Sequence, residues 1–197
     1  EQPKLVFDRH SWGSVIYYLI RKFKPEVIVE TGVFYGNSSF HILKALQENN
    51  KGILYSIDLP AYKEKGGYYD ENPYKNEKER TASLPEGKEA GFLVPEYLKD
   101  NWNLILGDSK KELPELFQKL VSIDMFLHDS LHSYDNMVFE FDLALQKLKT
   151  GGFIFSDNID WNNAFDDFVS QNNLNNYKYL AYYETNKLYY NFGTIIR

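Results

Sequence analysis

The sequence predicts a doubly wound α/β domain built on a seven-stranded sheet, mostly parallel, with an antiparallel C-terminal hairpin. Three observations carry that reading. Short apolar β-rich runs alternate with helical-period segments along the chain of 197 residues, the signature of parallel β-α-β units. The first run, Val27–Ile28–Val29, ends in Glu30 and opens through Gly32 and Gly36 into Asn37, Ser38 and Ser39, a strand–turn–helix junction. The last two runs, over 177–183 and 188–196, are separated only by Glu184–Thr185–Asn186 and read as a hairpin.

The elements follow in order. Trp12, Val15, Ile16, Leu19, Ile20 and Phe23 recur at helical spacing, and Pro25 stops that helix. Phe40, Leu43 and Leu46 mark a helix after the first strand, ending near Asn49–Asn50. A second strand over 53–57 closes on Asp58, and a third over 104–106 closes on Gly107–Asp108. Ser109 and Glu112 form an S-x-x-E capping box, so Ser109 is expected to cap the next helix and leave Asp108 free. A fourth strand over 123–127 runs into His128–Asp129. Its helix carries Met137, Phe141, Leu145 and Leu148 and ends at Gly151–Gly152. A fifth strand over 153–155 ends in Ser156–Asp157–Asn158, and a further helix is expected around 164–170.

The whole chain, 1–197, reads as a single domain, with a helical N-terminal segment over 1–24 and an insertion over 61–100. Connections beyond about 12–15 residues are uncommon and are often binding loops, so the insertion is expected to act as a substrate lid; a functionless flexible insertion is the competing reading.

Composition excludes several classes. A net charge of −6 argues against a nucleic-acid partner, and no apolar run is long enough for a membrane span. With no cysteine, disulfides, thiolate metal sites and cysteine nucleophiles are ruled out, which fits a cytoplasmic location. The reading leaves room for a homo-oligomer. Tyr (16) and Phe (14) are abundant and are read as packing residues.

In a parallel sheet the ligand lies beyond the carboxyl ends of the strands. Five strands here end in or beside an acid: Glu30, Asp58, Asp108, Asp129 and Asp157. Each alone has an ordinary explanation as a turn or cap residue; five at one edge point to a polar ligand. Asp58 suits a ribose diol and Asp108 an exocyclic amine of adenine. The spacing E-x-G-x-x-x-G differs from the dinucleotide fingerprint, and Glu30 would repel a pyrophosphate. A ligand bearing an ammonium group fits better, and an NAD-binding module is the weaker alternative.

At these residues the sequence resembles the class I S-adenosylmethionine-dependent methyltransferases. VETGVFYG is similar to the first motif of that family, YSIDLP to its acidic second-strand motif and LILGDS to the third. The stretch IDMFLHDSLHSYDNMVFEFDLALQKLKTGGFIFSDN resembles the small-molecule branch, with an Asp…Asp-Asn motif of metal type. The resemblance implies S-adenosylmethionine as methyl donor, held by Glu30, Thr31, Gly32, Gly36, Ser38, Asp58, Gly107, Asp108, Ser109 and His128. It implies Mg²⁺ or a similar divalent cation on Asp129, Asp157 and Asn158, as in catechol and caffeoyl-CoA O-methyltransferases. Asp129 and His132 become the expected catalytic residues. His132 stands where those enzymes carry a lysine, and an imidazole with an ordinary pKa near 6.5 suits a general base. A sugar or other alcohol is then as admissible an acceptor as a phenol, with Trp161 walling its pocket. Simpler readings stay open: a turn-and-cap pair at Asp157–Asn158, a backbone-bonded histidine at 132, and a methyltransferase that uses no metal.

Overall fold

The computed structural model describes residues 11–60, 84–183 and 188–197. Residues 61–83, the larger part of the expected lid, and the turn of the C-terminal hairpin lie outside the described residues, as do residues 1–10.

Seven strands form one sheet: β1 (Val27–Thr31), β2 (Ile53–Asp58), β3 (Trp102–Leu106), β4 (Ile123–His128), β5 (Leu148–Ser156), β6 (Asn175–Tyr183) and β7 (Leu188–Ile196). Their order is β3-β2-β1-β4-β5-β7-β6. The first five pair in parallel, whereas β7 is antiparallel to both β5 and β6. This is the mixed sheet that the sequence predicts. The order reverses between β1 and β4, the switch point beyond which α/β folds bind ligands.

The helices are α1 (Ser11–Phe23), α2 (Asn37–Asn49), α3 (Ser109–Lys119), α4 (Tyr134–Lys147) and α5 (Ala164–Asn172), with a 3₁₀ turn over Glu96–Asn101 before β3. Alternate residues of the central strands feed two cores. On one face Ile28, Leu54, Met125, Leu127 and Phe155 pack with Ile16 and Ile20 of α1 and Ile42, Leu43 and Leu46 of α2. On the other, Val29, Ile57, Phe126 and Ile154 pack with Leu113 of α3, Met137 and Phe141 of α4 and Phe165 of α5. Burying each such ring or branched chain contributes roughly 2–3 kcal/mol.

Three differences from the sequence reading bear on the packing. Leu148 belongs to β5 rather than to α4, because its backbone pairs with Ile123 while its side chain fills the α4-side core. Ser109 does not cap α3: Asp108 does, accepting from Lys110 N at 2.9 Å, which leaves Ser109 as the first helical residue. The described part of the insertion is folded, with Leu84, Val94 and Leu98 buried.

The end of the sheet remote from the site is pinned by one acid. Asp124 Oδ2 accepts from Glu26 N (2.9 Å) and Val27 N (2.8 Å), where β1 enters the sheet, and its Oδ1 meets Lys149 Nζ at 2.7 Å. Hydrogen bonds to a charged acceptor are worth more than an exposed ion pair. Asp124→Ala is therefore expected to lower the urea-unfolding free energy by about 2 kcal/mol, and Lys149→Ala by less than about 1 kcal/mol. Equal losses would show that the ion pair, not the anchoring of β1, matters.

Candidate active site

The strand ends at the switch point carry the predicted residues in two groups. The first surrounds the turn after β1. Gly32 has φ +85°, and a Cβ there would lie 2.0 Å from the carbonyl oxygen of Asp129. The β1 turn and the β4 loop therefore touch through backbone, which only glycine permits in this conformation. At Gly36, φ +92°, a Cβ would lie 2.8 Å from the Cα of Gly91 in the insertion. Gly91 N donates to Phe34 O (2.8 Å) and Leu93 N to Tyr35 O (3.0 Å), so the described end of the insertion is laid along the turn. Ser38 is buried in the first turn of α2.

Glu30 is fully buried on the α2 side of the sheet. Its Oε2 accepts from Ser39 and Ser56 hydroxyls, each at 2.6 Å, and its Oε1 has no hydrogen-bond partner among the described residues. Burial pushes its carboxyl up, against the pull of the Ser38, Ser39 and Ser56 hydroxyls. At the end of β2, Asp58 Oδ1 accepts from Val33 N (2.9 Å) and Phe34 N (3.4 Å) and so braces the same turn. Burial raises its pKa too. Beside it, Gly107 N bonds Asp58 O at 2.8 Å. Asp108 is exposed, with one oxygen engaged as the α3 cap.

The second group lies past β4 and β5. Asp129, His132, Asp157 and Asn158 come together: His132 Nε2 stands 3.8 Å from Asp129 Oδ1 and 3.4 Å from Asn158 Nδ2, which also donates to Asp157 Oδ2 at 3.2 Å. Asp157 and Asn158 are nearly buried, and the Asp129 side chain is a quarter exposed. Burial first, then repulsion from Asp157, holds the Asp129 carboxyl well above the usual range; burial raises Asp157 to about 6. Two crowded, poorly solvated carboxylates take up a proton or a cation. Their oxygens with the Asn158 amide suit a hard divalent ion that keeps waters. No group of three His, Cys, Asp or Glu among the described residues stands close enough to hold a metal ion by itself. The residues thus fit such an ion only as two carboxylates and an amide.

His132 departs from the ordinary imidazole that the sequence suggests. Burial, and then the neighbouring His128, push it down to about 3, so its ring is neutral at physiological pH. Its ring lies between His128 (5.1 Å between centroids) and the half-exposed Trp161 (5.0 Å).

The residue that sequence reasoning missed is Glu140, in the middle of α4 and fully buried. Its Oε2 accepts from Thr31 Oγ1 (2.5 Å) and pairs with His128 Nδ1 (2.7 Å); its Oε1 accepts from Ser130 Oγ (2.8 Å) and Asn136 Nδ2 (3.1 Å). Burial alone would raise this carboxyl, but His128, Ser109 and Thr31 outweigh it and hold it at about 2. A signal was present in the sequence. Glu140 falls three residues after Met137 and four before Ala144, inside the apolar stripe of α4. His128, expected to face a cofactor, is itself fully buried, and its Nε2 has no hydrogen-bond partner among the described residues.

These shifts have a pH consequence. The native state cannot protonate His132 until about pH 3, whereas the unfolded chain does so near 6.5. Stability is therefore lost as pH falls through that window. Glu140 adds to the loss below its unfolded value of 4.5, while raised Asp157 acts oppositely between its unfolded 3.8 and about 6. His132→Gln is expected to remove about 2 kcal/mol of the stability difference between pH 7 and pH 5. Parallel wild-type and variant curves in urea would show that His132 titrates normally.

The comparisons with known proteins speak to the domain and its fold. Residues 29–159 match the family model described as a methyltransferase domain. No individual curated protein sequence matches the chain. Among solved structures, TomG from Streptomyces achromogenes, an O-methyltransferase of tomaymycin synthesis solved with SAM, superposes with TM-score 0.68 at 17% identity, over 94% of this chain and 79% of that one. The O-methyltransferase from Bacillus cereus in complex with SAH gives 0.67 at 15%, over 95% and 81%. The SAH-bound Podospora anserina methyltransferase PaMTH1 gives 0.57 at 14%, over 94% and 77%. At such identities these structures speak for the fold. The family match reaches from inside β1 to just past β5, across every strand end described above, and the chain belongs to the family of methyltransferase domains.

Proposed function

We propose that the protein moves a methyl group from S-adenosylmethionine to a hydroxyl of a small molecule, assisted by a divalent cation. The observation that carries this reading is the division of the sheet edge. A glycine turn braced by Asp58 stands on one side of the switch point, and the Asp129–His132–Asp157–Asn158 cluster on the other, with the two in backbone contact at Gly32. Support comes from the solved neighbours, which are methyltransferases with SAM or SAH bound.

In this reading Glu30, Thr31, Gly32, Gly36 and Ser38 form the cradle for the donor's amino-acid part, where Glu30 Oε1 offers an unused acceptor to an ammonium group. Asp58, through its remaining oxygen, takes the ribose diol. Gly107, Asp108 and Ser109 flank the adenine, and His128 backs the methyl-transfer region from below. Asp129, Asp157 and Asn158 would hold the cation, which when bound would lower the pKa of a hydroxyl beside it.

His132 is too weak a base to strip an alcohol beforehand. It accepts the hydrogen bond of the acceptor hydroxyl and orients it. As the oxygen–methyl bond forms and the carbon–sulfur bond breaks, the oxygen becomes strongly acidic, and its proton then passes to Nε2. Asp129, 3.8 Å from that nitrogen, stabilises the imidazolium so formed. Trp161 offers its exposed face to the acceptor.

Calorimetry tests the donor: S-adenosylmethionine and S-adenosylhomocysteine are expected to bind and NAD not to. NAD binding alone would establish a nucleotide-binding module instead. With an acceptor in hand, EDTA is expected to abolish turnover and Mg²⁺ to restore it. Asp129→Ala should cost at least about a hundredfold in rate; turnover indifferent to EDTA would remove the cation from the mechanism.

A further inference from the structure

We propose that Glu140 is a positioning residue for the transfer step, acting through His128 to set the plane in which His132 presents Nε2 to the acceptor. The inference rests on the methyl-transfer reading of this site. Its starting point is where the four hydrogen-bond partners of one carboxylate come from. Thr31 sits between Glu30 and Gly32 at the end of β1; His128 and Ser130 flank Asp129; Asn136 lies in the first turn of α4. The ends of β1 and β4, which carry Glu30 and Gly32 on one side and Asp129 on the other, are thus tied, one residue away, to Glu140.

A fully buried carboxylate in mid-helix is costly, and an apolar side chain would fill that volume without needing four partners. What the carboxylate provides is direction. Accepting at 2.7 Å, it fixes the His128 ring through Nδ1. With that edge held, Phe141 packs against the ring at 5.4 Å (75° between planes) and His132 at 5.1 Å (77°). His132 is in turn held from its other side by Trp161, so its ring is flanked by one exposed and one anchored ring, with Asn158 Nδ2 3.4 Å and Asp129 Oδ1 3.8 Å from its Nε2. Asn162 Nδ2, donating to the His132 carbonyl at 2.8 Å, fixes the backbone but not the ring. Glu140 thereby acts on His132 without touching it, as supporting carboxylates do behind imidazoles elsewhere.

The test uses the protein's four histidines, resolved by ¹⁵N-edited imidazole spectra and assigned by substituting His10 and His41. The wild type is expected to show a slowly exchanging, downfield Nδ1 proton at His128. Glu140→Gln, which keeps the shape, should lose that proton and shift the His132 ring signals, while its affinity for S-adenosylhomocysteine stays within about threefold. Asn136→Ala, which removes one donor and leaves the carboxylate and His128 in place, should leave both histidines as in the wild type. Glu140→Gln with wild-type His128 and His132 signals overturns the proposal, and so does Asn136→Ala moving them as far. If Glu140→Gln does not fold, the wild type still decides, because absence of the downfield His128 proton refutes the anchoring. Failure of the wild type to bind S-adenosylhomocysteine would instead defeat the methyl-transfer reading and leave the geometry to be judged by the spectra.

Discussion

The active-site end of this fold depends on the charge buried at Glu140. Strands β1 and β4 are adjacent in the sheet but far apart in sequence, and each ends in a short irregular segment that packing alone does not orient. The Glu140 carboxylate reaches the end of both strands from α4, taking the Thr31 hydroxyl and the His128 ring on one oxygen and Ser130 and Asn136 on the other. Such a group is stable only if every lone pair is met, so the strand ends must come to it in one arrangement. Across the sheet, Glu30 performs a related task on the α2 side, but one of its oxygens has no partner among the described residues. In the proposed reading that oxygen is the one that meets the donor's ammonium group.

The contrast extends to Asp129 and Asp157. Among the described residues neither has a neighbouring Lys or Arg in the cluster to offset its charge; burial raises both, and repulsion from Asp157 adds to it at Asp129. A cluster built for stability alone would place a base between them or exchange one for an amide. The protein instead keeps two strained carboxylates beside a neutral histidine, an arrangement whose electrostatic cost falls when a positive group enters.

Much of the fold was legible in the sequence, because period-2 and period-3.6 patterns and the Gly/Pro breaks are local signals. Val27–Ile28–Val29 reads as a strand start and is one, whereas Gly151–Gly152, expected to end the helix of α4, lie inside β5. The misplaced boundaries are those where a tertiary contact overrides a local one. Leu148 fits either α4 or β5 by period, and pairing with Ile123 decides for the strand. Ser109 and Asp108 are both competent caps, and Asp108 takes the role by accepting from Lys110 N. The candidate site was legible as a set of strand-end acids. Its electrostatics were not, since the low basicity of His132 comes from burial and from a ring that only the fold brings near.

Gly32 shows how the proposed donor and acceptor halves are bound into one site. Its missing side chain lets the turn after β1 lie directly on the Asp129 carbonyl, and Asp129 N in turn donates to Thr31 O at 2.9 Å. The two loops therefore extend the sheet's pairing past its edge, so a shift of either moves the other. A reaction that needs two reactants aligned within a fraction of an ångström gains from such rigid coupling, because alignment is built in before either reactant arrives. With Glu140 holding the side chains beneath and Gly32 admitting the backbones above, the separation between the two halves is set by the protein. The reactants have only to fill it.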